Sequence, residues 1–211
     1  MITVVGSSRN NFVPLDDIRE QYLIDMPHQG EQNDFLNPWY CELCGLYHMW
    51  ANPKENDDIV GLEHYRRYFT SGRGLLGKDE IESRLKFHDI ILVSYHHPRN
   101  RTTYDWFIGA NKQHDLDKWM LIVNKYEPDF FPLYYNYIFG NKLYICNMFI
   151  SHRDVMSKWC EWLFPMLSQY DQLVGLGEEN RRIDGYLAEH TLGAWCMWKG
   201  LKIFGGAMKM V

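Results

Sequence analysis

The stretch Ile59-Val-Gly-Leu-Glu-His-Tyr-Arg-Arg-Tyr-Phe69 carries the strongest local signal in the chain. Its first four residues are an apolar run of strand length, and the polar and aromatic residues follow at once, which predicts a central strand that ends in a functional segment. If the strand continues, alternation places His64, Arg66 and Tyr68 on one face and the other residues on the opposite face. The two arginines then cannot share one target unless the chain bends. One of them could bind a diphosphate bidentately while the other pairs with a buried carboxylate; the alternative is an ordinary salt-bridged strand end.

Further apolar runs of strand length alternate with helical patterns along the chain. Strands are predicted at residues 2–5, 59–62, 90–93 and 144–150, with a weaker candidate at 201–204; helical stripes are predicted at 39–50, 116–123, 156–167 and 183–198, the first with Asn37 as N-cap. This alternation predicts an α/β fold whose central sheet is mostly parallel and flanked by helices. Ligands gather at the carboxyl ends of such strands, so residues 6–8, 63–67 and 94–97 are the candidate positions.

Composition limits the classes of function. The 211 residues suit one domain, residues 1–211, and the net charge of -5 argues against a nucleic-acid partner. Aromatic residues make up 16% of the chain, which suits sugar binding as well as a large aromatic core. Five dispersed cysteines fit reduced thiols in the cytosol. With no leader and no apolar run long enough to cross a bilayer, the sequence predicts a cytoplasmic protein.

Several motifs resemble functional signatures without meeting them in full, or are compatible with more than one role. Residues 72–78 fit both GxGxxG and GxxxxGK, but Asp79 replaces the Ser or Thr that a P-loop needs, so we expect a surface loop before a helix at 79–87. No HExxH, His-x-His or nucleophile elbow is present. Arg182, Tyr186 and Glu189 lie at i, i+4 and i+7 of the last helical stripe. Such a carboxylate could act as a general base, although a solvated or salt-bridged surface is the commoner meaning of this spacing.

Six segments, in order, resemble one known family. They are residues 37–47, 61–69, 89–92, 146–150, 162–164 and 185–189. Together they are similar to the exopolysaccharide and capsule biosynthesis glycosyltransferase domain that was long catalogued as a domain of unknown function. Some of its members are associated with galactofuranosyl transfer. The resemblance extends over nearly the whole chain, and residues 64–69 and 147–150 are its most specific parts.

The resemblance implies a single GT-A-like, Rossmann-type α/β sandwich that transfers sugar from a nucleotide-diphospho-sugar. A UDP-sugar is the expected donor, with UDP-galactofuranose a candidate. The expected acceptor is a polysaccharide or lipid-linked oligosaccharide, which implies peripheral contact with the inner membrane face. By the same resemblance the donor-binding residues are Ser7, His64, Tyr65, Arg66 and Arg67; the acceptor-binding residues are Asn147, Arg182 and Tyr186; and the catalytic base is Glu189, with Asp184 second. Glu42 is a further matched residue, expected to bind Arg66 or Arg67.

The cofactor is left open by the resemblance. The Asp-x-Asp that holds a divalent metal in GT-A folds is replaced here by residues 63–67. Cationic side chains could neutralise the departing diphosphate in its place. The alternatives are no cofactor, or a divalent ion such as Mn²⁺ or Mg²⁺ with Asp57 and Asp58 as ligands.

Departures from the family pattern leave two other functions open. They include Cys44 in place of Thr, and a first strand that ends in Gly6-Ser-Ser-Arg9. One alternative is a non-catalytic glycan-binding or polysaccharide-assembly protein with the same fold. The other is a sugar-phosphate transferase that uses the same arginines.

Overall fold

A computed structural model describes residues 1–8, 16–72, 74–96, 98 and 100–210. The predicted positions Arg9, Arg73 and His97 lie outside this range. The strands are β1 (Ile2–Ser8), β2 (Arg19–Leu23), β3 (Ile59–His64), β4 (Arg67–Thr70), β5 (Ile90–His96), β6 (Lys142–His152) and β7 (Ile203–Met210). The helices are α1 (Asn37–Tyr40), α2 (Leu43–Ala51), α3 (Lys78–Leu85), α4 (Thr103–Ala110), α5 (Gln113–Tyr126), α6 (Phe131–Ile138), α7 (Arg153–Val174) and α8 (Ile183–Trp198). The α/β class is confirmed.

The sheet is mixed, so the prediction of a mostly parallel sheet is wrong. Its order is β2-β1-β3-β4-β7-β5-β6, and β6 also pairs with β3. The pairs β1–β2, β1–β3 and β5–β7 are parallel. The pairs β3–β4, β3–β6, β4–β7 and β5–β6 are antiparallel. Apolar runs mark where strands lie but carry no information on their direction, which explains the error.

Five of these strands close into a ring. Following the pairings, β3 contacts β4, β4 contacts β7, β7 contacts β5, β5 contacts β6, and β6 returns to β3. The closing contact between β3 and β6 is tight at Gly61, where an added Cβ would lie 2.8 Å from the carbonyl oxygen of Phe149. Glycine is needed there because the backbones approach too closely for a side chain.

Two apolar cores cover the sheet. The larger one buries aromatic and aliphatic side chains of α2 and α5–α8, including Trp119, Trp195 and Tyr170. The smaller one packs α3 through Ile81 and Leu85 against the other side of the strands. In the described part of the chain, no helix has both the length and the apolar character that a membrane span requires.

The helix predicted across residues 39–50 is interrupted. α1 ends at Tyr40 and α2 begins at Leu43, because Cys41 adopts a φ of 53° and turns the chain between them. Asn37 is the first residue of α1 rather than a side-chain cap. All five cysteines lie within the described residues, and none of them forms a disulfide. Glu42, which lies within this break, lines a cavity at the edge of the sheet.

Candidate functional site

A turn divides the segment 59–69 into two strands. Tyr65 and Arg66 form the turn between β3 and β4, and His64 pairs with Arg67 across it in antiparallel register. Residues opposite each other in such a pair project to the same face. His64 and Arg67 therefore share a face, and the turn brings Arg66 alongside them.

Two adjoining cavities open at this edge of the sheet, and they share Cys41, Glu42, His64, Arg67 and Arg182 as lining residues. We call the larger one, about 420 Å³, the arginine lobe; its other lining residues are Ser7, Ser8, Ile24, Asn37, Pro38, Tyr65, Arg66 and Arg181. We call the smaller one, about 200 Å³, the glutamate lobe; its other lining residues are Trp106, Ile145, Cys146, Gly185, Tyr186 and Glu189. Together they have the size of a small-molecule site.

Three guanidinium groups give the arginine lobe positive charge. Arg66, Arg67 and Arg182 make no ion pair with a carboxylate in the part of the chain that the structure describes, whereas Arg181 pairs with Glu178 at 2.7 Å. The Arg66 guanidinium lies over the ring of Tyr65 at 5.1 Å, and that of Arg182 lies 5.8 Å from the ring of Tyr186. Guanidiniums without a carboxylate partner at a cavity wall are suited to bind an anion with bidentate geometry.

The buried carboxylate next to this turn does not neutralise them. Glu63 accepts hydrogen bonds from Arg19 Nε at 2.8 Å and Nη2 at 3.0 Å, and from the Phe69 amide at 2.8 Å. The expectation that Arg66 or Arg67 pairs with a buried carboxylate is therefore wrong. Arg19 belongs to β2, which the sequence analysis did not find, and it leaves both arginines of the turn available to the cavity.

Ser7 lies at the carboxyl end of β1, in register with His64 on β3. Its Oγ is buried and has no hydrogen-bond partner among the described residues, although Ser7 lines the arginine lobe. α2 approaches β1 here through Gly45, where an added Cβ would lie 2.8 Å from Ser7 Cβ. A buried hydroxyl without a partner is costly, and a ligand in the lobe would supply one.

An irregularity in β6 shapes the glutamate lobe. β6 advances from Tyr144 to Phe149 while its partner β5 moves only from Ser94 to Leu92, so the intervening residues bulge. Cys146 and Asn147 adopt positive φ values of 72° and 51°. His64 Nε2 donates to the Cys146 carbonyl oxygen at 2.7 Å, which ties the bulge to the end of β3. Bulges of this kind are common beside active sites.

Asn147 lies beneath the cavity and does not line it. It is 4% exposed, and its Nδ2 donates to Glu42 Oε1 and to the Gly185 carbonyl oxygen, both at 2.8 Å. Because both amide hydrogens are used, Asn147 has no donor left for a sugar hydroxyl. Glu42 likewise binds Asn147 and not Arg66 or Arg67, which corrects the expectation for that residue.

Glu189 has the properties of a proton acceptor near neutral pH. It is half-buried on α8, and its Oε2 accepts from the Cys146 amide at 2.8 Å. Burial raises the pKa of Glu189 to about 7, and the neighbouring Glu42 carboxylate adds to the rise. The Cys146 amide and the guanidiniums of Arg67 and Arg182 act in the opposite direction on the same pKa. A carboxyl that titrates near 7 is matched to acid–base work.

Asp184, the second candidate base, lies elsewhere. It is fully buried and lines neither lobe. Burial raises its pKa well above the ordinary value, and the carboxylate of Asp171, which accepts from the Tyr40 hydroxyl at 2.9 Å, adds to the rise. A substrate bound in either lobe would therefore not contact Asp184.

The residues considered as metal ligands are engaged in other contacts. Asp57 accepts from Thr3 Oγ1 at 2.8 Å and pairs with Arg153 at 3.1 Å, and Asp58 pairs with the N-terminal amine at 3.0 Å. Both precede β3, at the end of the strand opposite His64. No group of three His, Cys, Asp or Glu side chains that could hold a metal ion occurs among the described residues.

Trp106 lines the glutamate lobe but is not among the residues that the sequence singles out. Trp106 on α4 is 40% exposed and contacts Tyr95 with ring centroids 5.5 Å apart. Its helix begins with a capping box between Thr102 and Asp105, which was the available signal. Cys146 begins one of the segments that carry the family resemblance, and the bulge brings it to the wall of the lobe.

The fold of this chain has a counterpart among solved structures. It is similar to the apo structure of the bifunctional glycosyltransferase WbbM, with a TM-score of 0.83 and 21% sequence identity. The match covers 100% of this chain and 45% of that chain, so the present chain corresponds to less than half of WbbM. At this identity the likeness concerns the fold.

The family is given by the sequence. The chain belongs to the family described as Domain of unknown function (DUF4422), whose profile matches residues 4–200. No curated protein matches the chain at a significant level. The match confirms the part of the prediction that places the chain in a family catalogued as a domain of unknown function.

Proposed function

We propose that this chain is an inverting, GT-A type glycosyltransferase that transfers a sugar from a nucleotide-diphospho-sugar to a hydroxyl of a glycan. The observation that carries the proposal is the pair of adjoining lobes. Guanidiniums that have no carboxylate partner among the described residues line one, and a carboxyl whose pKa is about 7 lines the other. Sugar transfer needs both groups: cations that neutralise the leaving diphosphate, and a base that takes the proton of the acceptor hydroxyl.

The donor diphosphate fits the arginine lobe. Arg66, Arg67 and Arg182 would neutralise the charge that develops on the departing diphosphate, which is where electrostatic catalysis has the largest effect. Ser7 Oγ would hydrogen-bond the nucleotide portion. UDP is the nucleotide to test first, and UDP-galactofuranose the first sugar donor, because of the family resemblance.

The acceptor enters by the glutamate lobe. Its hydroxyl oxygen attacks the anomeric carbon, and the proton passes to the Glu189 carboxylate. The bond between the anomeric carbon and the phosphate oxygen breaks, and its electron pair leaves with the diphosphate. Tyr186 and Trp106 offer aromatic surfaces to the acceptor sugar, which has flat C–H faces rimmed by hydroxyls.

The described residues around the arginine lobe do not fit a divalent cation that bridges the donor phosphates. Such an ion prefers several oxygen ligands, whereas the charged groups here are mainly guanidiniums, and Glu42 Oε1 is already bound to Asn147. Arg66, Arg67 and Arg182 are therefore the groups that would neutralise the charge of the diphosphate.

The decisive experiment offers UDP-, GDP- and dTDP-sugars with an oligosaccharide acceptor, with and without EDTA. We expect transfer or slow hydrolysis of one donor class, with a rate that EDTA leaves unchanged. Loss of activity in EDTA that manganese restores would contradict the role given to the arginines. Binding of oligosaccharide without any turnover or nucleotide binding would instead identify a glycan-binding protein.

Replacing Trp106 by alanine should weaken acceptor use selectively. Loss of the stacking surface removes about 1 kcal/mol or more of apolar contact, so we expect the acceptor KM to rise about 5- to 20-fold. Donor hydrolysis without acceptor should stay within about twofold, because Trp106 lines only the glutamate lobe. Trp106→Phe, which keeps a ring, should recover most of the loss. Equal losses in transfer and in hydrolysis would show that the ring does not act through the acceptor.

A further inference from the structure

Glu42 occupies the wall that the two lobes have in common. Its side chain is 11% exposed, and it lines both cavities together with His64 and Arg67. Oε1 accepts from Asn147 Nδ2 at 2.8 Å and lies 3.8 Å from His64 Nε2. The wall common to both lobes is where a sugar would lie while it passes from one to the other.

Unusual backbone geometry holds Glu42 in this place. Cys41, directly before it, has a φ of 53°, and Asn147, which binds its carboxylate, has a φ of 51°. Cys146 and Arg182, also at the cavity, have φ values of 72° and 69°. Non-glycine residues in this region are strained, and such strain tends to be kept where it serves a site.

Both hydrogens of the Asn147 side-chain amide are donated to protein acceptors. One of its hydrogens goes to Glu42 and the other to the Gly185 carbonyl oxygen on α8, so it links the carboxylate to the helix that carries Glu189. An amide whose two hydrogens are both bonded holds the carboxylate oxygen that it binds in one position. This is how a supporting residue preorganises a charged group that acts on a ligand.

We propose that Glu42 is a second catalytic carboxylate, which faces the sugar being transferred and stabilises the positive charge that develops at its anomeric carbon. This inference rests on the proposed function. Glu42 forms no bond in the step: the acceptor proton still goes to Glu189, and the diphosphate leaves with the electron pair of the broken bond. A fixed negative charge beside an oxocarbenium-like centre favours the transition state over the neutral sugar.

The two carboxyls, Glu42 and Glu189, differ in the lobes that they line. Glu189 lines only the glutamate lobe, where the acceptor hydroxyl arrives, whereas Glu42 lines both. Two neighbouring carboxyls of different environment commonly take different roles in one reaction. The negative charge of Glu42 is also the largest contribution, after burial, to the raised pKa of Glu189. Glu42 would thus act on the sugar directly and on the base at a distance.

The test compares Glu42→Gln with wild type in the transfer assay. Glutamine keeps an oxygen that can accept from Asn147, so the fold and UDP binding should be retained. We expect kcat to fall about 10²- to 10³-fold, as for loss of one preorganised electrostatic contact. The acid limb of the pH profile should move to lower pH, because the pKa of Glu189 falls when the Glu42 charge is removed. Glu161→Gln, on the exposed side of α7, is the matched control and should behave as wild type.

Each outcome bears on the inference. A kcat within twofold of wild type, or an unmoved acid limb, overturns it. Loss of the limb altogether would make Glu42 the base, and an equal loss of UDP affinity would make it a donor-binding residue; both contradict the proposed role. If wild type itself transfers and hydrolyses no donor, the proposed function fails first, and the Glu42 role fails with it.

Discussion

The Glu189→Gln protein is expected to turn over about 10² to 10⁴ times more slowly than wild type, which is the usual contribution of a positioned general base. Glutamine has nearly the same shape and can still accept from the Cys146 amide. UDP should therefore bind with unchanged affinity, as isothermal titration would show. A loss in kcat at constant UDP affinity identifies an interaction made in the transition state.

The pH profile of the same pair gives a second readout. The base must be ionised, and the pKa of Glu189 is about 7, so wild-type turnover should rise through neutral pH. At pH 6 about a tenth of the carboxyl is ionised. The glutamine variant should lose this acid limb. Wild-type-like turnover in the variant, or an acid limb that persists in it, would remove Glu189 from the role.

Arg67→Lys is expected to lower kcat/KM for the donor about 10²-fold or more. The substitution keeps the charge but replaces a planar, five-donor fork by a single ammonium group that cannot bind two phosphate oxygens in the same way. Arg67 projects beside His64 from the first position of β4, so a shorter reach and lost geometry act at the wall between the lobes. Steady-state kinetics with varied donor would measure the effect.

The matched control for this prediction is Arg84→Lys. Arg84 is on α3, which packs on the other side of the strands, where its guanidinium lies 4.5 Å from the ring of Phe204. Its replacement should leave kcat/KM unchanged. Equal effects in the two variants, or a retained rate in Arg67→Lys, would mean that Arg67 does not bind the diphosphate.

Most of the strands could be predicted because their cores are continuous apolar runs. β2 could not, since Arg19–Leu23 is a polar edge strand that pairs only with β1. Arg19 of this strand is buried and forms an ion pair with Glu63, and no local sequence pattern predicts that contact. β4 could not be predicted for another reason. Residues 67–70 have the pattern of a continued β3, whereas the structure has a turn at Tyr65 and Arg66 between the two strands.

The candidate site was partly visible in the sequence. Ser7 and His64 could be placed together because parallel strands end at one edge, and the structure puts them in register. The helical spacing of Arg182, Tyr186 and Glu189 was also sound, since all three line the glutamate lobe. Asn147 lies beneath the cavity because it binds Glu42, next to the break at Cys41, and Gly185 on α8. Nothing in the local sequence indicates these contacts.

The ring of strands makes the last segment of the chain part of the architecture around the cavity. β7 lies beyond the family match, which ends at residue 200, yet it inserts between β4 and β5, and Met210 pairs with Arg67 itself. A recombinant fragment cut at the end of the matched range would leave two unpaired strand edges, which invite aggregation. The fragment would also lack the strand that pairs with the backbone of Arg67. The end of an expressed fragment of this chain is therefore better chosen from the ring of strands than from the extent of sequence similarity.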